Sequence, residues 1–313
     1  MMDNKVSPKF ASPLIGVVGL GRMGSNFAQN MLESGFQVVV YDRNPPRVAA
    51  LVTVGAQGAS VLSDLASCEI ILTALSDDQA MIAVCDGPHG LLASMGAGAV
   101  HVSTGTISPE AAEALERKHE ACGQAFVSAP VLGNPDLARQ RLIFVLAAGK
   151  MSAMKKVMPI LEALSQKICV IAEQPEKANI LKLAANVLTA LTMQGMGEVL
   201  VLLRKSGFNE RDVFEVLTGT LFDSRVHKGY GGKIMQKHYL PAGMTLPLAV
   251  KDLRLALLQA EKVQAVMPTA AIVHDRLVGM CAQGWENLDW SALGLLTARD
   301  SGLADDVPGR DEE

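Results

Sequence analysis

The chain has 313 residues, 49% of them hydrophobic, and a formal charge of −4. That length accommodates two domains with separate cores, and the mild acidity excludes the basic surface on which nucleic-acid binding rests. Its five cysteines (Cys68, Cys85, Cys122, Cys169 and Cys281) are scattered with no C-x-x-C pair, a pattern of reduced thiols in a cytoplasmic protein rather than of a disulfide framework.

The first dozen residues are polar and lack an apolar h-region, so no secretory signal is expected. The first predicted element is a strand, Leu14–Val18, which runs into Gly19-Leu20-Gly21-Arg22-Met23-Gly24. A G-x-G-x-x-G between a strand and a helix is the mark of a dinucleotide-binding turn. Its first glycine makes the tight turn, its second lets the backbone approach a pyrophosphate, and its third packs the helix on the strand. The amides opening the helix then face the phosphates. A helix over Arg22–Ser34 stops at Gly35, and a second strand, Gln37–Tyr41, ends on Asp42, 18 residues past Gly24. That is where an acid that bonds a ribose hydroxyl is expected.

Further strands are predicted at Glu69–Ala74, Ala99–Val102, Gln124–Val127, Leu142–Ala147 and Ile168–Ile171, with amphipathic segments such as Pro109–Cys122 and Ser152–Ala163 between them. Such alternation means a mainly parallel, doubly wound sheet. After Ala172 the strands cease, and Pro175–Ser206 reads as one helix of roughly 45 Å. Its stretch Leu183–Leu203 is apolar enough to suggest a membrane span, but Lys182, Asn186, Gln194 and Glu198 interrupt it, so a buried helix is expected and no membrane partner. Helices follow at Glu210–Leu217, Ser224–Gln236, Leu248–Val263 and Thr269–Gln283. The expected fold is an N-terminal α/β Rossmann-type domain, 1–172, joined by a long helix to an all-α C-terminal domain, 173–313. Residues 305–313, acidic with Pro and Gly, are expected to form a disordered tail.

Hydride exchange with a nicotinamide requires a group that gives or takes a proton. Lys182 is the candidate: apolar residues flank it, and Asn186 lies one turn later on the same helix face, able to hold the ammonium or a substrate oxygen. The six histidines show no metal-ligand spacing and do not cluster with the cysteines, so no metal site is expected. Phe222 and Tyr230 fall close together in a chain with only 4% aromatics, which marks a possible pocket wall, core packing being the alternative.

The order of motifs resembles the β-hydroxyacid dehydrogenase family, related to 6-phosphogluconate dehydrogenase, from about Ile15 to Leu293. Gly19 to Gly24 is similar to the family's opening, including Met23. Gly105-Thr106-Ile107-Ser108-Pro109 resembles its S-T-x-S-P loop, and Lys182 with Asn186 its K-x-x-x-N pair. Lys251-Asp252-Leu253-Arg254-Leu255-Ala256 resembles its K-D-x-x-L-A helix, and Gly284 to Ser291 its C-terminal G…D-x-S signature. The resemblance implies an NAD(P)-dependent dehydrogenase or reductase acting on a small carbonyl or hydroxy compound. It implies that Lys182 is the proton donor or acceptor, with Thr106 and Asn186 positioning substrate. Leu20, Arg22, Arg43, Asn44, Thr106 and Lys251 join the glycines and Asp42 on the cofactor side, Asp252 lies toward the substrate, and the chain is a homodimer or dimer of dimers.

Two departures concern the substrate. Where the family has D-A-P-V-S-G-G, this chain reads Ser128-Ala129-Pro130-Val131-Leu132-Gly133-Asn134, and Leu132 cannot donate to a carboxylate. The glycines that precede the family's lysine are replaced by Glu176 and Ala178. A larger, less polar carbonyl compound is one reading; a carboxylate held by the loop's backbone amides is the other. Asp42 favours NAD and Arg43 favours NADP, leaving the choice of nicotinamide open. An imine reductase and a non-catalytic nucleotide-sensing module are the rival readings, and retention of Lys182 with Asn186 argues against both.

Overall fold

The computed structural model describes residues 13–303; the polar first dozen residues and the expected tail at 305–313 lie outside them. The chain divides into two compact units, 1–182 and 183–313, at a point inside the long helix.

The first unit holds a nine-stranded sheet: β1 (Leu14–Val18), β2 (Gln37–Tyr41), β3 (Gln57–Gly58), β4 (Ile70–Thr73), β5 (Val100–Ser103), β6 (Ala125–Ser128), β7 (Val131–Leu132), β8 (Ile143–Ala148) and β9 (Ser165–Ala172). Strands β3-β2-β1-β4-β5-β6 pair in parallel in that order. Beyond β6 the sheet turns mixed: β8 runs antiparallel to β6 and β7 and parallel to β9. The helices are α1 (Arg22–Glu33), α2 (Pro45–Val52), α3 (Asp78–Cys85), α4 (Leu91–Ser94), α5 (Pro109–Ala121), α6 (Pro135–Arg139) and α7 (Met151–Leu164). The central strands read as near-continuous apolar runs because helices cover both faces. Ile15 and Val17 face one core with Phe27 and Met31 of α1, while Val18 and Ile71 face the other with Met81 and Leu91. Burying each such side chain contributes about 1.5–3 kcal/mol.

Two short strands, β3 and β7, and the helices α2, α3, α4 and α6 were not expected. β3 and β7 have two residues each, too few for an alternation to register, and α2 opens on Pro45-Pro46, which reads as a turn until its N1 and N2 positions are known.

The long helix α8 (Glu176–Lys205) links the units. In the second unit it is followed by α9 (Glu210–Thr218), α10 (Arg225–Met235), α11 (Leu246–Lys262), α12 (Pro268–Ala282) and α13 (Leu293–Asp300). Leu183, Val187, Ala190, Met193, Met196 and Leu200 form its buried stripe, at the three- and four-residue spacing of one helix face, and share a core with Leu253, Leu277 and Trp290. By length and composition α8 could cross a membrane. Its polar residues are instead engaged within the unit: Gln194 donates to Glu198 at 2.7 Å, accepts from Arg276 at 3.1 Å and is buried.

The C-terminal signature has a structural role. Asp289 is fully buried and accepts from Gly243 N–H at 2.8 Å, Ser291 Oγ at 2.6 Å and Lys233 Nζ at 2.9 Å. One carboxylate therefore ties α10 and the loop entering α11 to the start of α13.

Candidate functional site

In an open α/β sheet ligands bind beyond the strand C-termini where the strand order reverses, here between β1 and β4. A cleft of about 650 Å³ opens there, bounded by Val18, Gly19 and Gly21 after β1, by Asp42, Arg43 and Arg47 after β2, and by Ala74, Leu75 and Ser76 after β4. The three glycines differ in what they meet. Gly19 has φ +88°, and a Cβ on it would lie 2.7 Å from the Ala74 carbonyl oxygen. A Cβ on Gly24 would lie 1.9 Å from the Gly19 oxygen, so α1 can sit on the turn only with glycine there. Around Gly21, among the described residues, a Cβ would meet nothing within 4 Å. A side chain there would project into open space in the cleft.

Gly21 is also the N-cap of α1 and supplies no side-chain cap. The first amides of a helix have no intrahelical acceptor, so this end suits a pyrophosphate by both donors and dipole. Leu20 is buried, with its side chain in the core of the first unit. Met23 is half-buried against the same core, and Arg22 is exposed. The residues present fit a dinucleotide. Among residues that sequence reasoning missed, Arg47 and Ala74 to Ser76 join the cleft only through the pairing of β1 with β4 and the turn into α2.

Asp42 has both oxygens engaged: Oδ2 accepts from Leu20 N–H at 2.7 Å and Oδ1 from Asn44 N–H at 2.8 Å. On the far side of β4, Thr106 is half-buried on the loop after β5. The motif's Ser108 caps α5 by accepting from Ala111 N–H at 3.1 Å, and its own N–H donates to Asp78 at 2.8 Å. Ile107 is fully buried, and its carbonyl accepts from Asn179 Nδ2 of α8 at 3.2 Å.

Pro130 and Val131 are buried, and Leu132 pairs with Phe144 across β7 and β8 and packs with Leu146, Ala148 and Ala178. Asn134 is the N-cap of α6, accepting from Leu137 N–H at 2.9 Å, and Gly133 between them is exposed. The segment is held to α1 by Asn26 Nδ2 donating to the Pro135 carbonyl at 2.8 Å and Asn30 Nδ2 to the Ala138 carbonyl at 2.7 Å.

Lys182 is half-buried on α8, one turn before the buried Asn186. Within the second unit, Asn186 Nδ2 donates to Asp252 Oδ2 at 2.5 Å, and Lys251 Nζ lies 3.1 Å from Asp252 Oδ1. Asp252 is 2% exposed. Its charge is balanced by Lys251, and the bond fixes the orientation of the Asn186 amide.

Phe222 and Tyr230 have different neighbours. Phe222 is exposed beside His227, whereas Tyr230 meets Trp290 edge-on at 5.5 Å in the helical core, where burial pushes its hydroxyl up to about 12.

The expectation that cysteines and histidines stay apart is corrected. Cys85, His101 and His119 are all buried, with their ligand atoms within 4.8 Å of one another, because α3, β5 and α5 converge on one side of the sheet. Sequence spacings of 16 and 18 residues gave no hint of this. Gln124 Nε2 donates to the carbonyls of Leu92 and Met95, so its Oε1 accepts from His119 Nδ1 at 2.8 Å. His119 Nε2 then accepts from His101 Nδ1 at 2.8 Å, and His101 Nε2 from Thr73 Oγ1 at 2.9 Å. The chain of bonds is complete with both rings neutral. Burial, and for His101 also the neighbouring ring, holds both pKa values below the ordinary histidine value, and burial with the charge of Asp86 pushes the Cys85 thiol up to about 12.

Comparison with known proteins agrees with this geometry. Residues 14–172 match the NAD-binding domain of 6-phosphogluconate dehydrogenase, and residues 177–296 match the NAD-binding domain of NADP-dependent 3-hydroxyisobutyrate dehydrogenase. An uncharacterized oxidoreductase of Bacillus subtilis is 35% identical over 89% of this chain and 98% of its own. The 3-hydroxyisobutyrate dehydrogenase of Pseudomonas aeruginosa is 30% identical over 90% of this chain and 97% of its own. The crystal structure of a 3-hydroxyisobutyrate dehydrogenase from Salmonella typhimurium superposes with a TM-score of 0.82 at 22% identity, over 91% of this chain and all of that one. With both domains matched and the glycine turn built to receive a dinucleotide, the chain belongs to the β-hydroxyacid dehydrogenase family and is an NAD(P)-dependent oxidoreductase.

Proposed function

We propose that the protein interconverts a small carbonyl compound and its alcohol, with Lys182 moving the proton. The nicotinamide, when bound, supplies or takes up the hydride. In reduction Lys182 donates a proton to the carbonyl oxygen, and in oxidation it accepts the alcohol proton. Thr106 and Asn186 position the substrate. The observation that carries this reading is the bond from Asn186 to the buried Asp252, which orients an amide one turn from Lys182 on a continuous helix. Asp252, engaged by that amide and by Lys251, then orients Asn186.

The loop 130–134 supports a substrate whose carboxylate, if it has one, is held by backbone N–H groups. Leu132 is packed in an apolar cluster and the Asn134 side-chain oxygen Oδ1 caps α6.

A homodimer is supported by the outward face of α8 within the second unit, where Leu188, Gly195, Val199 and Leu202 recur at helical spacing and are exposed. All five cysteines are free thiols and the net charge is −4, which supports a cytoplasmic protein without a nucleic-acid partner. The test is a reduction screen over semialdehydes, keto acids and imines with each nicotinamide. Turnover of a semialdehyde or keto acid is expected; turnover of imines alone would assign the chain to the rival chemistry.

A further inference from the structure

Helix α3 carries two sulfur atoms on its buried side, Met81 Sδ and Cys85 Sγ, one turn apart and 3.7 Å from each other. Cys85 Sγ lies 4.0 Å from His101 Nδ1, which is 2.8 Å from His119 Nε2. Two sulfurs and two ring nitrogens are thus brought together by α3, β5 and α5, and all four residues are buried. Around a tetrahedral d10 cation, sulfurs stand about 3.8 Å apart, sulfur and nitrogen about 3.6 Å, and two nitrogens about 3.3 Å. The sulfur pair already has its separation, and the other two distances need shifts of about half an ångström or less. The surroundings also hold the rings as ligands are held. His119 Nδ1–H donates to Gln124 Oε1 at 2.8 Å, and Gln124 is fixed in turn by the carbonyls of Leu92 and Met95. His119 therefore presents the lone pair of Nε2 to the cluster, while His101 Nε2 meets Thr73 Oγ1 at 2.9 Å on the far side of its ring.

We infer that Met81, Cys85, His101 and His119 form a buried site for one Cu(I) ion, which replaces the hydrogen bond joining the two rings in the metal-free protein. On binding, Cys85 Sγ bonds the ion and releases its thiol proton to solvent. The His101 proton moves from Nδ1 to Nε2 and is donated to Thr73 Oγ1, whose own hydrogen turns to Met81 Sδ, 3.9 Å away. No electron is transferred, and copper stays Cu(I). Thiolate, thioether and imidazole are the soft donors that select this ion. Charge points the same way. One thiolate neutralises Cu(I), whereas a divalent ion would leave a unit charge in a fully buried place. Asp86, the carboxylate next to Cys85, is already paired with Lys118 at 2.7 Å.

The test is anaerobic refolding of the full chain from urea with Cu(I), followed by gel filtration in the presence of the copper chelator bicinchoninate. Refolding admits the ion to a site closed to solvent. One copper per chain is expected to stay bound, and X-ray absorption at the copper edge should show both sulfur and imidazole neighbours. Cys85→Ser should lose the ion, whereas Cys122→Ser, which removes an exposed thiol, should keep it. Zn(II) offered in the same way should be lost from the wild-type protein. Circular dichroism reports whether each variant has folded; if Cys85→Ser does not fold, the imidazole signal of the wild-type protein decides alone. Refolded wild-type protein without copper, copper bound without imidazole, or copper retained in full by folded Cys85→Ser overturns the inference. Retention of Zn(II) in preference to Cu(I) overturns the assignment to copper.

Discussion

The three glycines of the turn make separable demands. Gly24 is excluded from carrying a Cβ by a backbone oxygen 1.9 Å away, and Gly21 by nothing among the described residues. Gly24→Ala is therefore expected to destabilise the fold by about 2 kcal/mol or more, through backbone displacement. Gly21→Ala should keep its melting temperature yet bind dinucleotide about tenfold more weakly, since its methyl group enters the space of the pyrophosphate. Thermal melts and nicotinamide fluorescence on the two variants check this; equal loss of stability would place Gly21 in the packing instead. The glycines, Asp42 and the Lys182–Asn186 spacing were all legible in the sequence, because each is a local pattern. The environment of Leu132 was not. Its substitution for the family serine looked like a lost substrate contact, whereas the structure packs it against Leu146, Ala148 and Ala178, residues contributed by β8 and α8. Leu132→Ser is accordingly expected to cost about 1–2 kcal/mol in denaturant unfolding. If the loop's amides leave room for a side-chain donor, the same variant should raise kcat/KM on a carboxylate-bearing semialdehyde; no gain on any such substrate would count against it.

At the level of elements, the seven strands longer than two residues lie within a few residues of where apolar runs and flanking glycines put them, and the whole of α8 was visible as one apolar helix. The short β3 and β7 were invisible because two residues carry no period. The buried relay Thr73–His101–His119–Gln124 was equally invisible, since its members come from β4, β5, α5 and the residue before β6. Its titration gives a pH prediction. Folded, both histidines resist protonation because burial disfavours the charged ring. Unfolded, each takes a proton near pH 6.5. Their contribution is thus complete above pH 6.5 and is lost as pH falls below it, where the unfolded chain binds protons the native chain does not. The stability of the first unit should decline below pH 6.5 by up to about 1.4 kcal/mol per pH unit for each histidine. Urea unfolding between pH 7.5 and 5 measures it. In His119→Gln the slope should be shallower, and an unchanged slope would show that the relay is not what titrates.

At the scale of the molecule, a Rossmann-type unit carries the dinucleotide cleft, and a helical unit carries the bonded group Asn186, Lys251 and Asp252 on α8 and α11. The helical unit leaves an apolar stripe on α8 with no partner within its own unit. Leu188→Glu with Leu202→Glu is expected to convert a dimer to a monomer by light scattering; a wild-type protein already monomeric would remove the proposed assembly. In the proposed reaction one lysine moves the proton, and Lys182→Ala tests this through turnover and dinucleotide affinity measured side by side. Turnover should fall at least about 10³-fold while the dinucleotide dissociation constant stays within about twofold. Wild-type turnover in that variant would show that Lys182 does not move the proton.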